Sequence, residues 1–351
     1  MSYFAKKTKY RFILCLSFGL LILIVFFSST IGIADIGILE ALKIMLARIP
    51  GFKFLFDSNA MDKTHVMIVL DIRLPRIILS AAIGAILAVV GGSFQGLFRN
   101  PMADPYVLGI SNGAGLGATM AIVFGLESLS FGVGIVSLLA FIGALATTIV
   151  VYTIASVEGR LPSVNLLLSG IAVGLFEYSI ITVLMVFNRD KIENIIMWLM
   201  GSVNAASWQQ VAILVPVAVF GSIILCFFAR DLNAISTGED TARSLGVKVE
   251  TVKKILLGIC SLLVAVCVSV SGIIGFVGLV VPHAARLITG PDHRAMLPFS
   301  AVGGAIFLVI CDTLARSIMP PVELPVGAVT SLFGAPFFIY LLVMSKKKVS
   351  Q

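Results

Sequence analysis

RLPRIILSAAIGAILAVVGGSFQGLFRNPMADPYVLGISNGAGLGATMAIVFG, from Arg73 to Gly125, decides the fold class. Ile77 to Phe98 carries no charged side chain, and a hydrocarbon core about 30 Å thick needs roughly 20 apolar residues to be crossed as helix. Pro101 and Pro105 then end regular helix and hold a compact turn. A second apolar run follows over 106–125, so the segment reads as two crossings joined by a proline turn.

The rest of the chain repeats this pattern. Apolar runs fall at about 12–33, 77–98, 106–125, 130–156, 165–187, 208–229, 254–272, 273–289, 297–317 and 326–345, which predicts an all-α integral membrane protein of about ten crossings in one transmembrane domain, 1–351. Composition agrees: of 351 residues, 59% are hydrophobic and 12% charged, where soluble domains run near a quarter charged. The run at 273–289 is short and contains Pro282, His283 and Arg286, which predicts a broken or partial crossing shielded by protein. The first run follows Lys6, Lys7, Lys9 and Arg11 as a signal peptide would. It is long and lacks a small-residue cleavage pattern, so it reads as a retained helix.

The net charge of +7 does not indicate nucleic acid, because Lys and Arg sit at the ends of apolar runs and form no continuous face. They report topology instead. With the N-terminus cytoplasmic, sixteen of the 25 Lys and Arg fall inside and nine outside, and an even number of crossings returns the C-terminus to the same side.

Two connections are long enough to carry function. The external one, 34–76, has an apolar patterned stretch at Ile38 to Leu46 that reads as a short amphipathic helix on the membrane surface. The internal one, Arg230 to Glu250, places Glu239 and Asp240 at a helix start and Gly246 at a helix stop. It reads as a short helix between two turns, with Ala242 and Leu245 making an i,i+3 apolar edge.

The chain has no GxxxxGK[ST] phosphate loop. Gly109, Gly113, Gly115 and Gly117 follow no strand, and small residues at such spacing in a membrane helix mean close helix packing; Gly84, Gly91, Gly92, Gly96, Gly303 and Gly304 fit the same account. The five cysteines lie in apolar stretches with no metal-ligand spacing, and His65, His283 and His293 are far apart. His293 and Asp292, in the turn at 290–294, are placed to cap a helix or to contact a partner. Two acids are plainly intramembrane, Glu177 and Asp312. Glu177 reads either as a hydrogen-bonded residue or as a transport residue, and Asp312 as an i,i+4 ion pair with Arg316.

Motifs in order carry a resemblance. RLPR at 73–76, GAILAVVGGSFQGLFRNPMADPYVLGISNGA at 84–114, WLMGS at 198–202, the GED-x-A-x-x-LG stretch at 238–246, GFVGLVVPHAAR at 275–286, ELPVGAV from Glu323 and GAPFF ending at Phe338 resemble permease subunits of ABC importers for iron-siderophores, haem and cobalamin, the FecCD type. The resemblance spans about 70–345. It implies a type II importer permease fold, pairing with a second permease copy or paralogue, two cytoplasmic ATPase subunits that use ATP and Mg, an extracytoplasmic substrate-binding protein, and location in the bacterial cytoplasmic membrane.

It also implies residue roles. Arg73, Arg76 and Arg316 match arginines that pair with acids on the binding protein, which would orient docking. Asn100 and Met102 match one cytoplasmic gate, Ser163 and Val164 the other, although Pro162 departs from the family pattern. Gly238, Glu239, Ala242, Leu245 and Gly246, in the 231–250 segment, match the segment that couples to the ATPase. The function implied is alternating-access import of a chelated iron complex, with a ferric siderophore placed first and haem or cobalamin as alternatives. No catalytic residue, cofactor or metal is assigned to this chain. A proton-coupled secondary transporter is disfavoured by the few intramembrane acids, and a membrane enzyme by the lack of a nucleophile–base pair.

Overall fold

Each of the ten apolar runs forms a helix in the computed structural model, which describes residues 3–32, 34, 36–47, 62–126 and 134–349. The first is α1 (Tyr3–Thr30). The connection after it holds α2 (Ile38–Ala47) and α3 (Lys63–Met67), the latter capped by Asp62 accepting from the Thr64 N–H. Residues 48–61 of that connection lie outside the described residues. A π turn, Ile68–Arg73, leads into α4 (Leu74–Leu97). Pro75 has no N–H to give to a carbonyl one turn back, and the Leu74 N–H reaches Val69 O instead.

Next come α5 (Ile110–Val123), α6 (Ile135–Ala155), α7 (Ser163–Phe187), the short α8 (Ile192–Leu199) and α9 (Trp208–Phe227). A capping box between Ser207 and Gln210 starts α9 by satisfying two free N–H groups. The polar connection then forms α10 (Ala229–Thr237) and α11 (Glu239–Ser244), and the chain ends in α12 (Val249–Ser271), α13 (Val277–Thr289), α14 (His293–Ser317) and α15 (Val326–Val349). Asp292 caps α14 by accepting from the Arg294 N–H. Among the described residues, seven helical stretches are long and apolar enough to cross a membrane, one of them Lys63–Leu97, which joins α3, the π turn and α4; α5, α13 and Val326–Tyr340 of α15 are shorter apolar helices.

Helix α4 is the centre of the bundle. Twenty of its 24 residues are buried, under α9, α12, α13 and α14. At its crossing with α14, a Cβ on Gly84 would run into the Gly304 carbonyl and a Cβ on Gly304 into that of Gly84. Small residues at that point let the two backbones touch, the device that drives helix association where lipid is as apolar as the side chains. Helix α7 is the opposite case, with six of its 25 residues buried and Val164, Leu168, Leu175, Phe176 and Phe187 exposed.

The short helices explain how polar backbone survives inside the bundle. At about 1.5 Å per residue, α13 with 13 residues spans about 20 Å, less than a hydrocarbon core, so the partial crossing expected at 273–289 is present. The irregular segment before it meets the irregular segment before α5. The Tyr106 hydroxyl donates to Ile274 O at 3.1 Å and accepts from Ile274 N at 3.2 Å, while Gln95 Nε2 donates to Leu279 O at 3.3 Å. Irregular backbone is tolerated at depth when protein supplies its hydrogen bonds.

Two connections differ from expectation. The amphipathic helix at 38–47 forms, but Ala41 and Ile44 pack on Ile36 and Val69, so one apolar face is used inside the chain while Ile38 and Leu39 stay exposed. The internal connection makes two helices rather than one. Gly238, at φ +136°, separates α10 from α11, a conformation that glycine adopts without Cβ strain.

Candidate functional site

Polar side chains collect at the two ends of the bundle. At the end that carries α2 and α3, Arg73, Arg76 and Arg316 are 4%, 5% and 4% exposed, and their hydrogen-bonding capacity is directed inward. Arg73 donates to the carbonyls of Ser29, Thr30 and Ala34 at 2.8, 3.1 and 2.7 Å, which satisfies the open end of α1. Arg76 binds Asp312 at 2.9 Å and Glu323 at 2.7 Å, joining α4 to α14 and to the connection before α15. Arg316 donates to the Ser28 carbonyl and hydroxyl. Expected as outward docking groups, the three arginines instead staple α1, α4 and α14 together.

The expected Asp312–Arg316 pair is replaced by Asp312–Arg76. The i,i+4 spacing places both side chains on one face of α14, yet the Arg316 guanidinium extends to α1 and Asp312, fully buried, takes the cation that α4 brings. Glu177 is also buried, in the packing of α7 on α6, where it accepts from the Thr147 hydroxyl. Of its two readings, the geometry displays the hydrogen-bonded one.

The other end holds the remaining expected residues. Asn100 and Met102 form a turn in which Asn100 Oδ1 accepts from the Met102 N–H at 2.9 Å, and Met102 is exposed. In the same loop, half-buried Asp104 accepts from the Tyr106 N–H at 2.8 Å; burial pushes its carboxyl up to about 6 against the lowering effect of that bond. Ser163 and Val164 begin α7, and Pro162 before them has φ −61° and ψ 128°. The fixed φ of proline is compatible with an extended residue ahead of a helix, so the departure at 162 fits this backbone.

A cleft of about 540 Å³ brings these regions together, lined by Phe98, Arg99, Arg160 to Val164, and by Glu239, Arg243, Glu250 and Lys253. Ser163 and Val164 thus share a cavity with the first residue of α11, while Asn100 and Met102 follow the Phe98–Arg99 wall without lining it. On α11 the expected apolar edge divides: Ala242 is buried against the bundle and Leu245 is 69% exposed. The helix is seated through Ala242 and presents Leu245 outward. Gly246, at φ +86°, ends it as expected.

Three residues at this end were missed by sequence reasoning: Leu161, Glu250 and Lys253. Lys253 is 2% exposed and binds Glu239 at 2.6 Å. A signal was present, since Lys253 falls in register with Val249, Val252, Leu256, Leu257 and Cys260, the buried stripe of α12. A lysine in an apolar stripe needs a partner.

Among the described residues, nine apolar helices around a buried tenth, α4, with irregular backbone satisfied inside the bundle and polar clusters at both ends, define a multi-pass membrane permease. The chain belongs to the FecCD transport family, whose model matches residues 20–344. It is 47% identical over 280 residues to the cobalamin import system permease protein of Halobacterium salinarum, covering 80% of this chain and 74% of that protein. It is 38% identical over 345 residues to the hemin transport system permease protein of Yersinia pestis, covering 96% and 97%. Among solved structures it is similar to an inward-facing conformation of a metal-chelate type ABC transporter, with TM-score 0.80 and 28% identity over 95% of this chain and 99% of that one.

Proposed function

We propose that this chain is the non-catalytic translocation subunit of an ATP-driven importer that carries a metal chelate, a ferric siderophore first, inward across a bacterial cytoplasmic membrane. A second permease copy or paralogue completes the path, two ATPase subunits hydrolyse ATP with Mg, and an extracytoplasmic binding protein delivers the substrate. Both termini and the α10–α11 end face the cytoplasm. Closure of the ATPases acts on α11, and the bundle alternates between access from each side.

The observation that carries this reading is the joining of α11 and Ser163–Val164 around one cleft. It gives a short exposed helix, with Leu245 outward, mechanical access to the start of a crossing helix. The buried arginines act on docking indirectly, by fixing the shape of the surface at the opposite end. A second reading, cobalamin as cargo, is favoured by the 47% identity to a relative named for cobalamin import; haem is favoured in the same way by the hemin relative.

The test is uptake into proteoliposomes containing the chain with its genomic-neighbour ATPase and binding protein. Ferric siderophore, haem and cobalamin are offered in turn, with ATP or with a proton gradient alone. ATP-dependent uptake of one chelate supports the proposal and names the cargo. Uptake that follows the proton gradient and ignores ATP refutes it.

A further inference from the structure

We infer that Glu250 and Lys253 form a clamp that fixes α11 to the backbone at Leu161, so that displacement of α11 is transmitted to the start of α7. The inference rests on reading α11 as the ATPase contact.

Both backbone polar groups of Leu161 are held by charged side chains of α12. Its N–H donates to Glu250 Oε2 at 3.0 Å, and its carbonyl accepts from Lys253 Nζ at 3.1 Å. The same two side chains hold α11. Lys253 Nζ binds Glu239 Oε1 at 2.6 Å, and Glu250 Oε1 accepts from Arg243 Nη2 at 3.2 Å. Arg243 also reaches Glu239 Oε2 at 3.4 Å and Asp240 Oδ1 at 2.9 Å, which closes the ring on α11 itself.

The arrangement is stronger than a surface ion pair. Exposed pairs contribute little, because solvent screens them and side-chain entropy opposes them. Here the shared cation is buried in the apolar stripe of α12, where separating the charges leaves one of them without compensation. Leu161 stands two residues before Ser163, and its own side chain is buried. Helix α11, only six residues long and flanked by Gly238 and Gly246, has few other attachments: Ala242 seats it and the clamp orients it. Pulling α11 therefore pulls Leu161, and with it Pro162 and the first turn of α7.

A merely structural pair and a transmission clamp predict different things. Spin labels at Val157→Cys and Ser244→Cys, both exposed, with Cys15 and Cys226 replaced by serine, report the distance between the 156–162 loop and α11 in the purified chain. With Lys253 present, the distribution is narrow; Lys253→Met broadens it at least twofold and Lys253→Arg, which still donates to both acceptors, restores it. In the assembled importer, Lys253→Met lowers uptake per ATP hydrolysed at least tenfold while hydrolysis stays within twofold. Glu250→Gln, which keeps side-chain length and removes the charge facing Arg243, lowers the same ratio and serves if the lysine variant does not fold. An unchanged distance distribution, or loss of uptake and hydrolysis in equal proportion, overturns the inference. The distance measurement uses no ATPase, so it stands apart from the functional reading, which fails instead if the native chain shows no ATP-driven uptake.

Discussion

The two ends of the bundle use charge in opposite ways. Where α2 and α3 lie, Arg73, Arg76 and Arg316 turn inward and tie long helices to one another: α1 to the turn that leads into α4, α4 to α14, and α14 to α1. Where α10 and α11 lie, Glu239, Arg243, Glu250 and Lys253 tie a six-residue helix to a loop, at the rim of an open cleft. The first pattern makes a rigid core, because each guanidinium would have to leave more than one acceptor at once. The second joins small parts, and none of its four side chains belongs to α4 or α14.

The largest effect is expected from breaking the rigid end. Arg76→Met leaves Asp312 charged and fully buried, a loss of about 3–5 kcal/mol when one member of a buried pair is removed. Thermal unfolding in detergent will show a large drop, and Arg76→Met with Asp312→Leu together will recover much of it.

Next is the close crossing that the staple holds. Gly84→Val forces α4 away from the Gly304 carbonyl, with a cost of about 1–3 kcal/mol from overpacking. Gly258→Ala, where a Cβ meets open space, is the matched control and gains up to about 1 kcal/mol through helix propensity. Equal behaviour of the two variants in thermal unfolding would remove the close-packing account of the glycines.

At the start of α14 the expected change is smaller and depends on pH. Burial raises the Asp292 carboxyl, but hydrogen bonds from Arg294 and Asn233 outweigh it, so its pKa is below the usual carboxylate value. A depressed folded-state pKa gives stability that is present above the ordinary value of 3.8 and is lost as pH falls through the folded-state pKa. Asp292→Ala is expected to lower stability by about 0.5–2 kcal/mol near neutral pH, as loss of a helix cap does, and to match the parent in acid. Unfolding followed from pH 7 to pH 2 measures both.

Leu245→Ala sharpens the contrast from the other side. The residue is exposed, so stability is expected to change by less than about 0.5 kcal/mol. Pull-down of the ATPase by the permease is expected to weaken. A destabilised protein with unaltered ATPase binding would mean that Leu245 is not a docking contact.

How far the sequence reveals this depends on the range of each interaction. The ten apolar helices follow from local hydropathy, and the Gly84 and Gly304 contacts from small residues at helix-packing spacing. The sequence offers Asp292 as a cap or as a partner contact, and the folded turn displays the cap. The i,i+4 spacing pairs Asp312 with Arg316 because that relation is local; the partner in the fold, Arg76, lies 236 positions away, and no pattern in one sequence marks that. The same limit applies to the arginine orientation, since charges beside a crossing look outward until another helix offers acceptors. Lys253 is legible by register in the buried stripe of α12, but its partners, Leu161 and Glu239, lie on other segments and no local pattern marks them. The split of the 230–250 connection hinges on one glycine, Gly238, between two short helical segments.

Hydrogen–deuterium exchange of the assembled importer, with and without ATP bound to its ATPase, tests the contrast most directly. Protection at 156–164 and 238–253 is expected to change together, while 76–97 and 304–316 keep theirs in both states. Change confined to 238–246 without the 156–164 loop, or loss of protection along the α4–α14 crossing, would contradict the account.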